Sequence, residues 1–219
     1  MTSQRIELPR ASTRAVAQGR AARLWLEHPP TVGGVPLPAP SLTDTIKLAG
    51  AVAAVLTTAC GAIAFTVHVA VVVAAREWLA FPFTGIPARP AIAASIFLHN
   101  LRAIAAVWSL LLIAQAALWT SGEPGRASTI LRRSGEVLLA AAVAANLIVV
   151  GASLGAYGTR MLRATLPHGP FELAAYSLAL ALYLQGRRRQ LPVRLVFGVA
   201  TLSVATLALA AVLEIYVNV

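Results

Sequence analysis

The stretch GEVLLAAAVAANLIVVGASLGAYG, residues 135–158, decides the fold class. Glu136 is its sole charge, and at about 1.5 Å of rise per residue a helix of this length outspans a hydrocarbon core of about 30 Å. Four further apolar runs accompany it, over Thr45–Ala75, Ala91–Thr120, Pro170–Gln185 and Leu195–Asn218. Together they predict an all-α fold, a polytopic bundle of five transmembrane helices. The first two runs exceed the roughly 20 residues a span needs, so tilt or ends outside the core are expected. The run at 170–185 is short, and its Pro-His-Gly-Pro entry predicts irregular backbone dipping below the headgroups.

Composition agrees with a membrane protein. The chain of 219 residues is 58% hydrophobic and only 12% charged, well outside the range of an ordinary soluble domain. Its 18 basic residues, 17 of them Arg, outnumber 8 acidic ones and give a formal charge of +10. Nearly all of the arginines fall between apolar runs, which points to membrane lipids with anionic headgroups as partner. No basic groove interleaved with aromatics is present, so nucleic acid is not an expected partner. A lone cysteine, Cys60, excludes an intramolecular disulfide and reads as a packing residue.

Residues 1–44 form an Arg-rich segment with no early apolar core, so no cleavable signal peptide is expected. Within it, Ser12–Glu27 predicts a short amphipathic helix at the membrane surface, stopped by His28-Pro29-Pro30. The Gly/Pro-rich Thr31–Ser41 reads as a linker to the bundle at 45–219.

Charge also orients the bundle. With the N-terminus cytoplasmic, the inner segments hold 13 Lys and Arg and the outer loops hold 4, with Arg102 inside the second span. That satisfies the positive-inside rule for five spans with the C-terminus outside, and predicts a multi-pass protein of the cell membrane. Gly151 and Gly155, four apart, would let another helix approach closely. Trp78, Trp119, Tyr157 and Tyr216 near run ends suit interfacial anchoring.

Polar residues inside the spans are the candidate site. A charge at the bilayer centre costs about 3 kcal/mol on the insertion scale, so it needs a partner or a wet cavity. Counting along each span puts His68, His99, Asn100, Arg102, Asn146, His168, Glu172 and Glu214 in the middle or outer half. One shared polar pocket of Asn100, Arg102, Asn146, His168, Glu172 and Glu214 is therefore expected, with Arg102 compensating the glutamates. Pro170 suits the first turn of its span, which places Glu172 at the positive end of the helix dipole. Simpler readings stand beside this one. Glu172 suits an interfacial helix start, Glu214 can snorkel to water, and His68 and Asn146 suit interhelical hydrogen bonds. Because His99 adjoins Asn100, only one of the two is expected to face inward.

The chemistry these residues could carry is limited. His168 and Glu172 are candidate ligands for a divalent metal, and His168, Glu172 and Glu214 are candidate acid–base groups. No His-Glu-x-x-His, Gly-x-Ser-x-Gly or Walker-type motif occurs, so ATP hydrolysis would have to come from another subunit.

Three segments resemble one family. They are Ile96-Phe97-Leu98-His99-Asn100-Leu101-Arg102-Ala103, Leu166-Pro167-His168-Gly169-Pro170-Phe171-Glu172-Leu173-Ala174-Ala175 and Ala210-Ala211-Val212-Leu213-Glu214-Ile215-Tyr216-Val217. Together they are similar to the stage II sporulation protein M family of integral membrane proteins, over roughly Thr45 to Val219. His99 stands where the family often has a second Asn, and Ala174 where Pro is common. The resemblance implies a multispan protein acting in a complex, in some members recruiting peptidoglycan-degrading partners and in others accompanying ATPases.

Three functions follow. The first is a non-enzymatic membrane scaffold or permease-like subunit of a multiprotein complex, whose pocket docks a partner or builds a homo-oligomer. The second is a transport component working with a separate ATPase, coupled through the Arg clusters at 126–133 and 187–194. The third is a membrane-embedded enzyme acting on lipid or peptide through His168, Glu172 and Glu214, and no cofactor other than a divalent metal is suggested.

Overall fold

The computed structural model describes residues 31–32, 35–36, 39–81, 89–119 and 126–217. The expected amphipathic helix over Ser12–Glu27 lies outside the described residues. The chain divides into two units, residues 1–39 and 40–219. Within the first, Thr31–Val32 pairs antiparallel with Val35–Pro36, so part of the expected linker is a small bridge.

The second unit is helical. Its elements are α1 (Leu42–Ala70), α2 (Val72–Leu79), α3 (Pro90–Trp119), α4 (Arg126–Tyr157), α5 (Thr159–Thr165), α6 (Gly169–Gly186) and α7 (Val193–Tyr216). Four of these, α1, α3, α4 and α7, are long and apolar enough to cross a membrane.

Local chemistry explains the boundaries. Ser41 caps α1 with a capping box: its hydroxyl accepts from the Asp44 N–H at 3.1 Å, and the Asp44 carboxylate accepts from the Ser41 N–H at 3.2 Å. The first apolar run does not make one helix. It breaks at Val71 (φ −142°, ψ 26°), and α2 then continues to Ala80, whose left-handed φ of 42° ends it. α2 is held against the end of α4, where the Arg76 side chain donates to the Ala156 carbonyl at 2.7 Å and the Phe81 N–H donates to the Tyr157 hydroxyl at 3.0 Å. α4 starts nine residues before the apolar stretch does, because Arg126–Ser134 also takes helical form.

α1 packs on α4 through the two glycines. A Cβ at Gly151 would lie 2.8 Å from Ile63 Cβ, and one at Gly155 would overlap the Ala64 carbonyl and lie 2.9 Å from Val67 Cβ. The absence of side chains therefore lets the two backbones meet.

The centre of the bundle is α6, which packs against α1, α3 and α7. Ala175, Leu178, Ala181 and Tyr183 on it are all buried, and at about 100° per residue they spread around the helix. A helix apolar on every side belongs inside a bundle. The 18 residues of α6 carry Glu172, Tyr176, Tyr183 and Gln185, which lower its hydropathy. Each of those groups has a hydrogen-bond partner on a neighbouring helix. Ile104, Val107 and Leu111 of α3 and Val199 and Leu207 of α7 complete the core around it, and Ser203 of α7 donates to the Ala175 carbonyl at 2.8 Å.

Polar clamps tie the end of the bundle where α1 begins and α6 finishes. Thr45 donates to the Gln185 side-chain oxygen at 3.0 Å. Gln115 of α3 holds the α6–α7 turn by three bonds: it donates to the Gly186 carbonyl at 2.6 Å and the Arg189 carbonyl at 3.0 Å, and accepts from the Leu191 N–H at 3.0 Å. Tyr183 donates to Glu136 at 2.8 Å, and Arg187 pairs with the same carboxylate at 3.8 Å. Gly186 has no room for a side chain, since a Cβ there would overlap Leu111 and lie 2.9 Å from Leu191 Cδ1.

Candidate functional site

At the opposite end of the bundle α6 begins, and the sequence there dictates a deep start. Leu166-Pro167-His168 turns the chain, Pro170 sits in the first turn of α6, and the Phe171 and Glu172 N–H groups donate to the His168 carbonyl at 3.0 and 3.1 Å. Gly169 fits tightly, since a Cβ on it would lie 2.8 Å from Thr165 Cγ2. Glu172 thus occupies the first turn of α6, at the positive end of the helix dipole.

The nearest helix wall is α3. Asn100, about 15 Å along α3 from Pro90, donates its side-chain N–H to Glu172 Oε1. Tyr176, one turn after Glu172, donates its hydroxyl to the Asn100 backbone carbonyl at 3.3 Å. The first turn of α6 is therefore fastened well below the beginning of α3.

Above this knot opens a cleft of about 460 Å³ lined by Ser95, Ile96, His99, Asn100, His168, Glu172 and Glu214. Glu214 comes from the last turn of α7, where the neighbouring Ile215 is buried and anchors the helix end. Three separated stretches of sequence therefore contribute to one cavity. Burial holds the His168 imidazole below its ordinary range, with the Glu214 carboxylate opposing that shift. The ring's Nδ1 is buried without a hydrogen-bond partner among the described residues.

Of the expected pocket, the structure brings together Asn100, His168, Glu172 and Glu214. Two members lie elsewhere. Arg102 is exposed and forms no ion pair with Glu172 or Glu214. The reason is angular: two residues along a helix is a turn of about 200°, so Arg102 cannot share the direction of Asn100. Asn146 is also exposed, and its side chain donates to the Ala142 carbonyl of its own helix at 3.2 Å. His68 lies outside the cleft, where its Nδ1 approaches the Gly155 carbonyl at 3.3 Å. His99 and Asn100 both line the cavity, contrary to the expectation of one, because a 100° step leaves each on one flank of the same wall.

Tyr176 and Ser95 were not anticipated. The signal for Tyr176 was its position four residues after Glu172, which puts both on one face of α6. Ser95 is four residues before His99 by the same rule.

His168 and Glu172, the candidate metal pair, share the cleft with Glu214. Among the described residues, however, no three His, Cys, Asp or Glu side chains are grouped as a metal site would need. What the cleft offers is hydrogen-bond acceptors and negative charge at the base of a polar opening. No protein-family profile matches the chain, and no curated protein or solved structure is significantly similar to it.

Proposed function

We propose that this chain is a five-span protein of the cell membrane, with a cytoplasmic N-terminus, that acts as a non-enzymatic docking subunit of a membrane complex. In this reading α6 is the fifth span, sheathed by the other helices, and the cleft opens toward the outer face. The clamped, Arg-rich end with Arg187–Arg189 then faces the cytoplasm, in keeping with the positive-inside rule. The resemblance of the Asn100, Glu172 and Glu214 segments to the stage II sporulation protein M family favours the same role.

The observation that carries this reading is the pairing of a preformed cleft with charge that the bundle leaves uncompensated. Among the described residues, Glu172 receives one neutral donor, Asn100, and no Arg or Lys lines the cavity with it and Glu214. A carboxylate kept in an apolar bundle without a cation calls for an external partner or for water. A docked helix or loop bearing a cation would satisfy it.

Substitution Glu172→Gln tests the role, since the amide oxygen can still accept from Asn100 while the charge is lost. Folding should be retained, and the complex recovered from membranes with the tagged protein should fall several-fold relative to wild type. An unchanged complex together with unchanged stability would count against docking.

One observation favours a second reading, an enzyme acting on lipid or peptide: His168 lines the cleft together with two carboxylates. Metal content and bound lipid in the purified protein separate the two. A stoichiometric metal that disappears in His168→Ala would favour the enzyme.

A further inference from the structure

We propose that two copies of this chain pair along α3, each setting its Arg102 guanidinium against the carboxylates of the other's cleft. The proposal rests on the docking reading above and names the docked partner as a second copy.

Arg102 is a charge within a span for which the described residues provide no ion pair. It stands about 18 Å along a helix of about 45 Å, inside an apolar span, and is exposed. The cleft has the complementary defect, two carboxylates and, among the described residues, no Arg or Lys in its lining. A guanidinium facing hydrocarbon and a carboxylate pair without a counter-charge are each costly alone. Pairing them between molecules removes both costs at once.

Depth and direction favour a second copy. A twofold axis along the membrane normal leaves depth unchanged, so each Arg102 arrives at the level it holds in its own chain. That level is only about 3 Å along the helix axis from Asn100, the residue bonded to Glu172. Ser95, His99 and Arg102 follow one another at four and three residues, so they form one stripe of α3. The first two line the cleft, and Arg102 follows on the same stripe outside that lining. The same stripe goes on through Ala103, Ala106 and Ser109, all exposed, and small residues let two helices approach closely. One continuous patch therefore carries both charges, as a self-complementary interface requires.

The test is a charge swap read by oligomeric state in lipid nanodiscs. The wild type should be a dimer. R102E and E214R should each weaken it by about tenfold or more, and the double variant R102E/E214R should recover it because opposite charges face each other again. As a second readout independent of E214R folding, A103C in a C60A background should form a disulfide between copies in membranes. A monomeric wild type, a dimer indifferent to R102E, or R102E lowering the thermal stability of a monomer would each overturn the proposal. If the dimer is absent while E172Q still loses its complex, only the identity of the partner is wrong. If E172Q keeps its complex, the docking reading itself fails.

Discussion

Asn100 and Glu172, 72 residues apart, are joined by a side-chain hydrogen bond that sets where the central helix begins. The bond couples a point about 15 Å along α3 to the first turn of α6, and Tyr176 locks the same level by donating to the Asn100 carbonyl at 3.3 Å. Because α6 starts this low, space remains above it between α3 and α7, and that space is the cleft. The carboxylate is thus both a fastening and the floor of the site.

Replacing Asn100 by Ala should cost about 1–3 kcal/mol, because Glu172 is left part-buried with no donor. Thermal unfolding in detergent should fall for Asn100→Ala and change far less for Glu172→Gln. Equal losses in the two variants would mean that charge, rather than the hydrogen bond, holds the helix start.

Gln115 should matter for stability more than any single residue of the cleft. Its side chain makes three bonds to the α6–α7 turn, and Gln115→Leu strands the Leu191 N–H and two carbonyls at about 1–3 kcal/mol each at most. A lowered unfolding temperature with docking at the far end intact is expected. Loss of docking at unchanged stability would contradict the separation of the two ends.

The contact between α1 and α4 should respond sharply to side-chain size. Gly155→Leu would drive a branched chain into the Ala64 carbonyl and Val67, and it should prevent accumulation of folded protein. Gly61, with nothing within 4 Å of a Cβ, provides the control. Gly61→Ala should be neutral or stabilising by up to about 1 kcal/mol, from helix propensity. Comparable folding of both variants would refute the packing.

Depth was legible in the sequence, and direction was not. Counting residues along each run placed Asn100, Glu172 and Glu214 at compatible levels, and those residues do meet. The same count placed Arg102 and Asn146 at suitable depths, yet both lie on outward faces. The apolar segments around them show little periodicity, because every side of a membrane helix is apolar, so no stripe announced which face turned inward. The break at Val71 was hidden for a similar reason: Val-Val-Val reads as continuous hydrocarbon, whereas α2 docks on the end of α4 through Arg76 to Ala156 and Phe81 to Tyr157. Gln185 read as the end of an apolar run and Gln115 lay inside another, and only their tertiary partners reveal them as clamps.

The outward-facing cleft is tested most directly by cysteine labelling in intact cells, using a Cys60→Ala background and a membrane-impermeant maleimide. Ser95→Cys, at the cleft, should label from outside, whereas Arg188→Cys, in the α6–α7 turn, should label only after the membrane is broken. Labelling of Arg188→Cys in intact cells with Ser95→Cys protected until lysis would invert the topology and contradict the account.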